Sequence, residues 1–260
     1  MLEDRKQEEI DLQNKIRDKN LSKDSAEFRR LTANRKFYSI TRKSADFLND
    51  YFLKNYIGKK ILDYGCGDGN MAVSLAKKGI EIIGIDLSDI RIQNCRELAK
   101  KEGISDKVSF LVMDAEKTTF IDNFFDGIIC TGVLHHLDTK KAFGELARIL
   151  KSEGSIICNE PLAYNPFFQL YRKMTPYLRS EWEAEHILGK NDINLAEEYF
   201  RKVEKRFFHL TTLLAVPFRN LPFFNFILGI LEKVDSLILR LPFIKWWAWQ
   251  IIFILSKPKK

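Results

Sequence analysis

Three glycines at alternate positions, Gly65, Gly67 and Gly69, break the stretch ILDYGCGDGN directly after a short apolar run that ends near Asp63. Glycine permits a sharp turn there and lets a ligand rest on main chain where any Cβ would collide. A dinucleotide fingerprint, G-x-G-x-x-G, would put its third glycine at position 70. That position is Asn70, so the spacing is G-x-G-x-G. Two more acids close the next apolar runs, Asp86 in IIGID and Asp114 in VMDAE. The first is placed to accept from two ribose hydroxyls. Asp114 can accept from an exocyclic amine, with the Ala115 N–H beside it. Alone, each acid could be a helix cap. In order and register, the three suit a ligand with a cationic end, a ribose and an adenine. They suit a pyrophosphate poorly, because that group favours an uncluttered helix N-terminus.

The elements that must carry these residues follow from the pattern. Lys60 to Tyr64, Ile80 to Ile85, Val108 to Val112, Phe125 to Cys130 and Ser155 to Cys158 read as buried strands. Met71 to Lys78, Ile90 to Glu102 and Lys140 to Leu150 repeat their apolar residues at helical spacing. Such alternation predicts a parallel sheet with right-handed crossovers, and a ligand beyond the carboxyl ends of its strands. Later, Tyr164 to Arg179 and Leu195 to Phe200 read as helices, while Lys202 to Thr211 and Ile251 to Leu255 read as strands. Residues 1–56 are expected to form a helical lead-in and cap, charge-dense and solvated to about residue 30, with aromatics recurring from Phe37 to Tyr56.

ILDYGCGDGN, IIGIDLS, VMDAEKTTFIDNFFDGIICTGVLHHL and ELARILKSEGSIICNEP together resemble class I S-adenosylmethionine-dependent methyltransferases of the quinone and small-molecule group, over about Ile61 to Pro161. The resemblance implies an α/β fold across residues 57–260: a Rossmann-like, seven-stranded, mostly parallel sheet with helices on both faces and an antiparallel last strand. It implies that S-adenosyl-L-methionine lies against Asp63, Gly65, Cys66, Gly67, Gly69, Asp86, Leu87, Asp114, Ala115 and Thr131. Ahead of the glycine loop the likeness is loose, with Tyr38 and Arg42 as candidates for the methionine end. It also implies that the last two strands are Lys202 to Thr211 and Trp249 to Leu255, so that residues 213–243 form an apolar helical insertion.

Methyl transfer from a sulfonium needs alignment first, and a base only when the acceptor is protonated. TGVLHHL follows the fourth strand, so His135 and His136 are the candidate bases, with His135 preferred. The alternative is that the pair only shapes its loop. Residues 162–190 should form a lid, and Glu160, Asn165, Tyr171, Arg172, Arg179 and His186 are the candidate acceptor contacts. Arg172 and Arg179 share a helical face if Pro176 leaves the helix intact, and could then hold a carboxylate or phosphate. Salt bridges to Glu181, Glu183 or Glu185 are the competing use. His186 has no partner at metal-ligand spacing, and no metal is expected.

In the insertion, Ile230, Leu231, Val234, Leu237, Ile238 and Leu241 share one helical face. That face could cap a greasy acceptor, meet a membrane through residues 213–250 with Trp246, Trp247 and Trp249 at headgroup depth, form a homo-oligomer, or simply pack on the sheet. The acceptor is therefore expected to be small and hydrophobic or lipid-linked.

Bulk composition narrows the rest. The 260 residues carry a diffuse net charge of +7, with 45% hydrophobic and 30% charged residues, which fits one folded domain. No basic block is interleaved with aromatics, so no nucleic-acid partner is expected. Four cysteines without C-x-x-C spacing and a charged N-terminus point to a cytoplasmic protein, in peripheral contact with the inner membrane face at most. A DNA amino-methyltransferase would want Asn/Asp-Pro-Pro-aromatic where this chain has TGVL. An NAD-dependent short-chain oxidoreductase would want Tyr-x-x-x-Lys after the fourth strand, whereas Tyr56 and Lys60 precede the first. A non-catalytic cofactor-binding or membrane-docking protein of the same fold is the alternative from another class.

Overall fold

Both faces of the central sheet are covered, which is why its strands read as unbroken apolar runs. Ile61 faces a cluster with Phe52, Ala72 and Ile92, while its neighbour Leu62 faces a second cluster with Phe143, Leu146 and Ile156. The structure, a computed structural model, describes residues 2–16 and 24–260. Residues 1 and 17–23 of the expected lead-in lie outside the described residues.

In chain order the elements are α1 (Leu2–Ile16), α2 (Ala26–Leu31), α3 (Arg42–Asn55), β1 (Lys60–Tyr64), α4 (Asn70–Ala76), β2 (Glu81–Asp86), α5 (Asp89–Lys101), β3 (Val108–Val112), β4 (Phe125–Thr131), α6 (Thr139–Ile149) and β5 (Leu150–Pro161). There follow α7 (Pro166–Met174), α8 (Glu181–Glu185), α9 (Lys190–Tyr199), β6 (Phe200–Phe208), α10 (Phe224–Ile238) and β7 (Gln250–Pro258). The seven strands lie in the order β3-β2-β1-β4-β5-β7-β6. β7 runs antiparallel between β5 and β6, and the other pairs are parallel. The expected Rossmann-like sheet with an antiparallel last strand is therefore the observed one. Its strand order reverses between β1 and β4, and the crevice at their carboxyl ends is where such sheets bind ligands.

Local differences have local causes. Pro176, which cannot donate into a helix, ends α7 at Met174, so Tyr164 to Arg179 is not one helix. Residues 33–40 form a tight 3-10 turn ahead of α3 instead of extending it. β5 starts five residues early, where Leu150 pairs with Phe125 across a bulge. β6 stops at Phe208 because His209 takes up a left-handed backbone, φ 66°.

Residues 213–243, read from the sequence as an insertion, bury acids beside apolar side chains such as Leu228. On α10 the acids face inward: Glu232 accepts two hydrogen bonds from Arg42, each 2.7 Å, and Asp235 accepts the Leu210, Thr211 and Thr212 N–H groups and both threonine hydroxyls. Of the apolar face read from the sequence, Ile230, Val234, Leu237 and Leu241 are exposed, whereas Leu231 packs against the cluster of Ile40 and Leu228. Arg42, held by Glu232, is thereby removed from the methionine end. Trp249 is buried against Phe168, with ring centroids 5.0 Å apart, because β7 begins beside it, and it cannot sit at headgroup depth.

Candidate functional site: an acid-lined cleft beside an aromatic cavity

The glycine loop turns between β1 and α4, with Gly65, Gly67 and Gly69 all at positive φ. At Gly65 a Cβ would lie 2.4 Å from Val133 Cγ2, in the loop after β4. At Gly69 it would lie 2.7 Å from Cys95 Sγ, so this glycine serves helix packing and does not line the cleft. Gly67 donates its N–H to Asp86 Oδ2 at 3.0 Å, and Ser88 N–H donates to Oδ1, also at 3.0 Å. The loop and the acid ending β2 thus fix each other.

A first cavity, of about 130 Å³, is lined here by Gly65, Asp86, Leu87, Asp114, Ala115, Gly132, Val133 and His136. Its far wall is α1, which contributes Arg5, Lys6, Glu9, Ile10 and Gln13. Lys6 Nζ lies 2.6 Å from Asp114 Oδ2, Arg5 pairs with the buried Glu116 at 2.5 Å, and Arg91 bonds both Asp86 and Gln13. A second, larger cavity, of about 640 Å³, shares Gly132, His136 and Gln13 with the first. Its lining mixes aromatics, Phe37, Tyr38, Phe168 and Trp249, with Thr131, Asn159, His135, Arg172 and Arg179.

Of the two histidines, His135 is the one whose ring a buried carboxylate orients. Its Nδ1 lies 2.6 Å from Glu160 Oε2, and Glu160 Oε1 accepts the Val133 and Leu134 N–H groups at 2.9 Å each. The ring orientation is therefore set, which leaves Nε2 for the cavity. His136 Nδ1 lies 3.3 Å from Glu9 Oε1. Burial opposes its charge, but the Glu9 carboxylate outweighs burial and pushes its pKa up to about 9. A histidine held protonated at neutral pH cannot accept a proton there.

Residues 62–158 match a family described as a methyltransferase domain. Within those residues the chain carries a methyltransferase domain. Over 131 residues it is 31% identical to a demethylmenaquinone methyltransferase of Bacteroides fragilis, covering 47% of this chain and 54% of the relative. Over 99 residues it is 33% identical to a sterol 24-C-methyltransferase of Gibberella zeae, covering 37% and 26%. The aligned stretch thus spans about half the length of the first relative, and less of the second. A geranyl diphosphate C-methyltransferase of Streptomyces coelicolor, solved with Mg²⁺, geranyl diphosphate and S-adenosyl-L-homocysteine, shares the fold, with a TM-score of 0.56 at 15% identity, over 93% of this chain and 86% of that one.

The methyltransferase domain's cleft fits a sulfonium nucleoside. Asp63 is buried at the end of β1 with Oδ2 unpaired, and burial, reinforced by the Asp86 charge, pushes its pKa up to about 7. Asp63 lines neither cavity, so the cofactor contact expected of it is not seen. Thr131 Oγ1 and Asn159 Oδ1 are likewise buried without partners in the adjoining cavity. Asp86 would hold the ribose, and Asp114 the adenine edge.

Several residues expected at the site work elsewhere. Glu160, with both oxygens used internally, orients His135 and does not line the cavity. Asn165 caps α7 by accepting the Phe168 N–H and donating to the Trp247 carbonyl. Tyr171 packs edge-on to Phe37 outside both cavities. His186 stacks on Trp182 at 3.5 Å and is exposed. Cys66 and Gly69 pack against α5, and burial together with its Cys95 contact pushes the Cys66 thiol up. Sequence reasoning missed the face of α1. Its signal was present, since Arg5, Glu9 and Gln13 recur every fourth residue beside Lys6 and Ile10.

Proposed function

We propose that this chain transfers a methyl group from S-adenosyl-L-methionine to a small, hydrophobic or lipid-linked acceptor held in the second cavity. The carrying observation is the common wall: Gly132 and His136 border both the acid-lined cleft and the aromatic cavity. The cofactor supplies an electrophilic methyl group on a positively charged leaving group. The protein's share is alignment, exclusion of water by α1 and the aromatic walls, and removal of a proton from a protonated acceptor. His135 takes that proton at Nε2, and Glu160 stabilises the imidazolium that results. Incubation with methyl-labelled cofactor and a lipid extract tests the reading: label entering an organic-soluble product supports it, and label confined to water-soluble polar products contradicts it.

Access for such an acceptor is served by the insertion. Among the described residues no helix is long and apolar enough to cross a membrane. The exposed apolar face of α10 is flanked by exposed Arg219, Lys233 and Arg240, while both acids of the segment, Glu232 and Asp235, are buried. An outward face that is apolar and purely basic is complementary to an anionic bilayer surface. Peripheral contact there would bring a lipid-linked acceptor to the cavity. Co-sedimentation with phosphatidylglycerol vesicles, weakened by salt, is the expected result; equal behaviour with and without vesicles would remove this part of the reading.

A further inference from the structure

The second cavity places two guanidiniums on one carboxylate. Arg172 and Arg179 are each only 8% exposed, and they share Glu183, with closest approaches of 3.6 and 3.7 Å. Arg35 adds a third guanidinium at the rim. The break at Pro176 builds this arrangement. α7 ends there, and Arg179 folds back so that Nη1 donates to the Arg172 and Thr175 carbonyls at 3.0 and 2.6 Å, alongside the Thr175 and Leu178 N–H groups. Arg172 in turn donates through Nη2 to the Glu183 carbonyl. The Arg179 Nε–H, 3.7 Å from Glu183 Oε1, is buried without a hydrogen bond. Burial, and for Arg172 the charge of Arg179, lower both guanidinium pKa values from their ordinary range, as expected of cations that lack a full counter-charge.

Two buried cations on one carboxylate, with a donor left without a hydrogen bond, are costly unless a ligand completes them. Beside it lies the aromatic wall, where Phe37 and Phe168 centroids are 4.9 Å apart and Phe168 stacks on Trp249. We infer that the acceptor is an amphiphile bearing an oxyanion, a phosphate or carboxylate, gripped by Arg172 and Arg179 while its apolar part lies along Phe37, Phe168 and Trp249. This inference rests on the methyl-transfer reading for the word acceptor, but the anion subsite can be tested apart from it. Planar guanidiniums with free N–H groups suit an oxyanion better than a neutral hydroxyl.

Dodecyl phosphate, kept below its micellar concentration, and dodecanol are the probes, titrated into the full chain by tryptophan fluorescence, with S-adenosyl-L-homocysteine titrated separately. The phosphate should bind at least about tenfold more tightly than the alcohol, the range of one charge-assisted contact. Arg179→Gln should erase that preference and leave the alcohol and S-adenosyl-L-homocysteine within about twofold of wild type. Glu183→Gln removes the competing carboxylate and should tighten phosphate binding several-fold, a gain that damage to the fold cannot mimic. Equal binding of the two probes to wild type, or no gain in Glu183→Gln, overturns the inference. So does an Arg179→Gln variant that loses S-adenosyl-L-homocysteine and keeps the phosphate, which would assign the guanidiniums to the cofactor's own carboxylate. If wild type ignores S-adenosyl-L-homocysteine yet prefers the phosphate, the anion subsite stands and the methyl-transfer reading falls.

Discussion

Glu160 and His135 form a buried pair in which one carboxylate oxygen takes two backbone N–H groups and the other meets imidazole Nδ1 at 2.6 Å. The loop after β4 is thereby tied to the end of β5, and the ring is held in one orientation against the second cavity. His135→Ala should lower kcat by about 100-fold or more for an acceptor that must lose a proton, the usual share of a general base. Binding of S-adenosyl-L-homocysteine should change less than about twofold. Unchanged turnover would remove His135 from the reaction.

Glu160→Gln tests positioning. The amide keeps the shape but lacks the charge that stabilises an imidazolium, so kcat should fall while KM for the cofactor is retained. A fall in stability with unchanged kcat would make Glu160 structural only.

Glu9 and His136 join α1 to the wall shared by the two cavities. The Glu9 pKa is pulled down to about 2, although burial opposes this, and that of His136 is raised to about 9. A raised histidine contributes stability in full below its unfolded pKa of about 6.5, and loses it as pH rises through about 9. A depressed glutamate contributes in full above about 4.5 and loses it as pH falls toward 2. The pair should therefore be strongest between about pH 4.5 and 6.5. The melting-temperature gap between wild type and Glu9→Gln should be widest in that window and close by about pH 10. A gap independent of pH would show that the pair does not titrate as described.

Gly65→Ala would force a side chain onto Val133 at a backbone φ of 75°. The left-handed conformation alone costs about 1–2 kcal/mol, and the 2.4 Å contact adds to it. Chemical denaturation should show that loss, and Val133→Ala should restore only the part due to the clash. A neutral Gly65→Ala would mean that the loop is looser than its geometry indicates.

Much of this was legible in the chain itself. The strands declared themselves because both faces of the sheet are buried, and the cleft did so because glycines and acids fall at successive strand ends. Other features depend on contacts between segments far apart in sequence. Nothing near Arg42 indicates that Glu232 lies opposite it, and the inward acids of α10 cannot be told from solvated ones by periodicity. The polar face of α1 looks like a solvated helix until Asp114, Glu116 and Arg91 are placed against it. By sequence Arg172 and Arg179 share a helical face only if Pro176 leaves the helix intact; the structure pairs them through the break that Pro176 makes, both on Glu183.

The central claim is that a sulfonium nucleoside lies along the glycine loop with its ribose on Asp86. Calorimetry of S-adenosyl-L-homocysteine with wild type and Asp86→Ala tests it most directly. The account predicts saturable binding to wild type and a loss of about 10- to 100-fold in the variant, the range of a charge-assisted hydrogen-bond pair. No binding to folded wild type, or equal affinity in the two proteins, would contradict it.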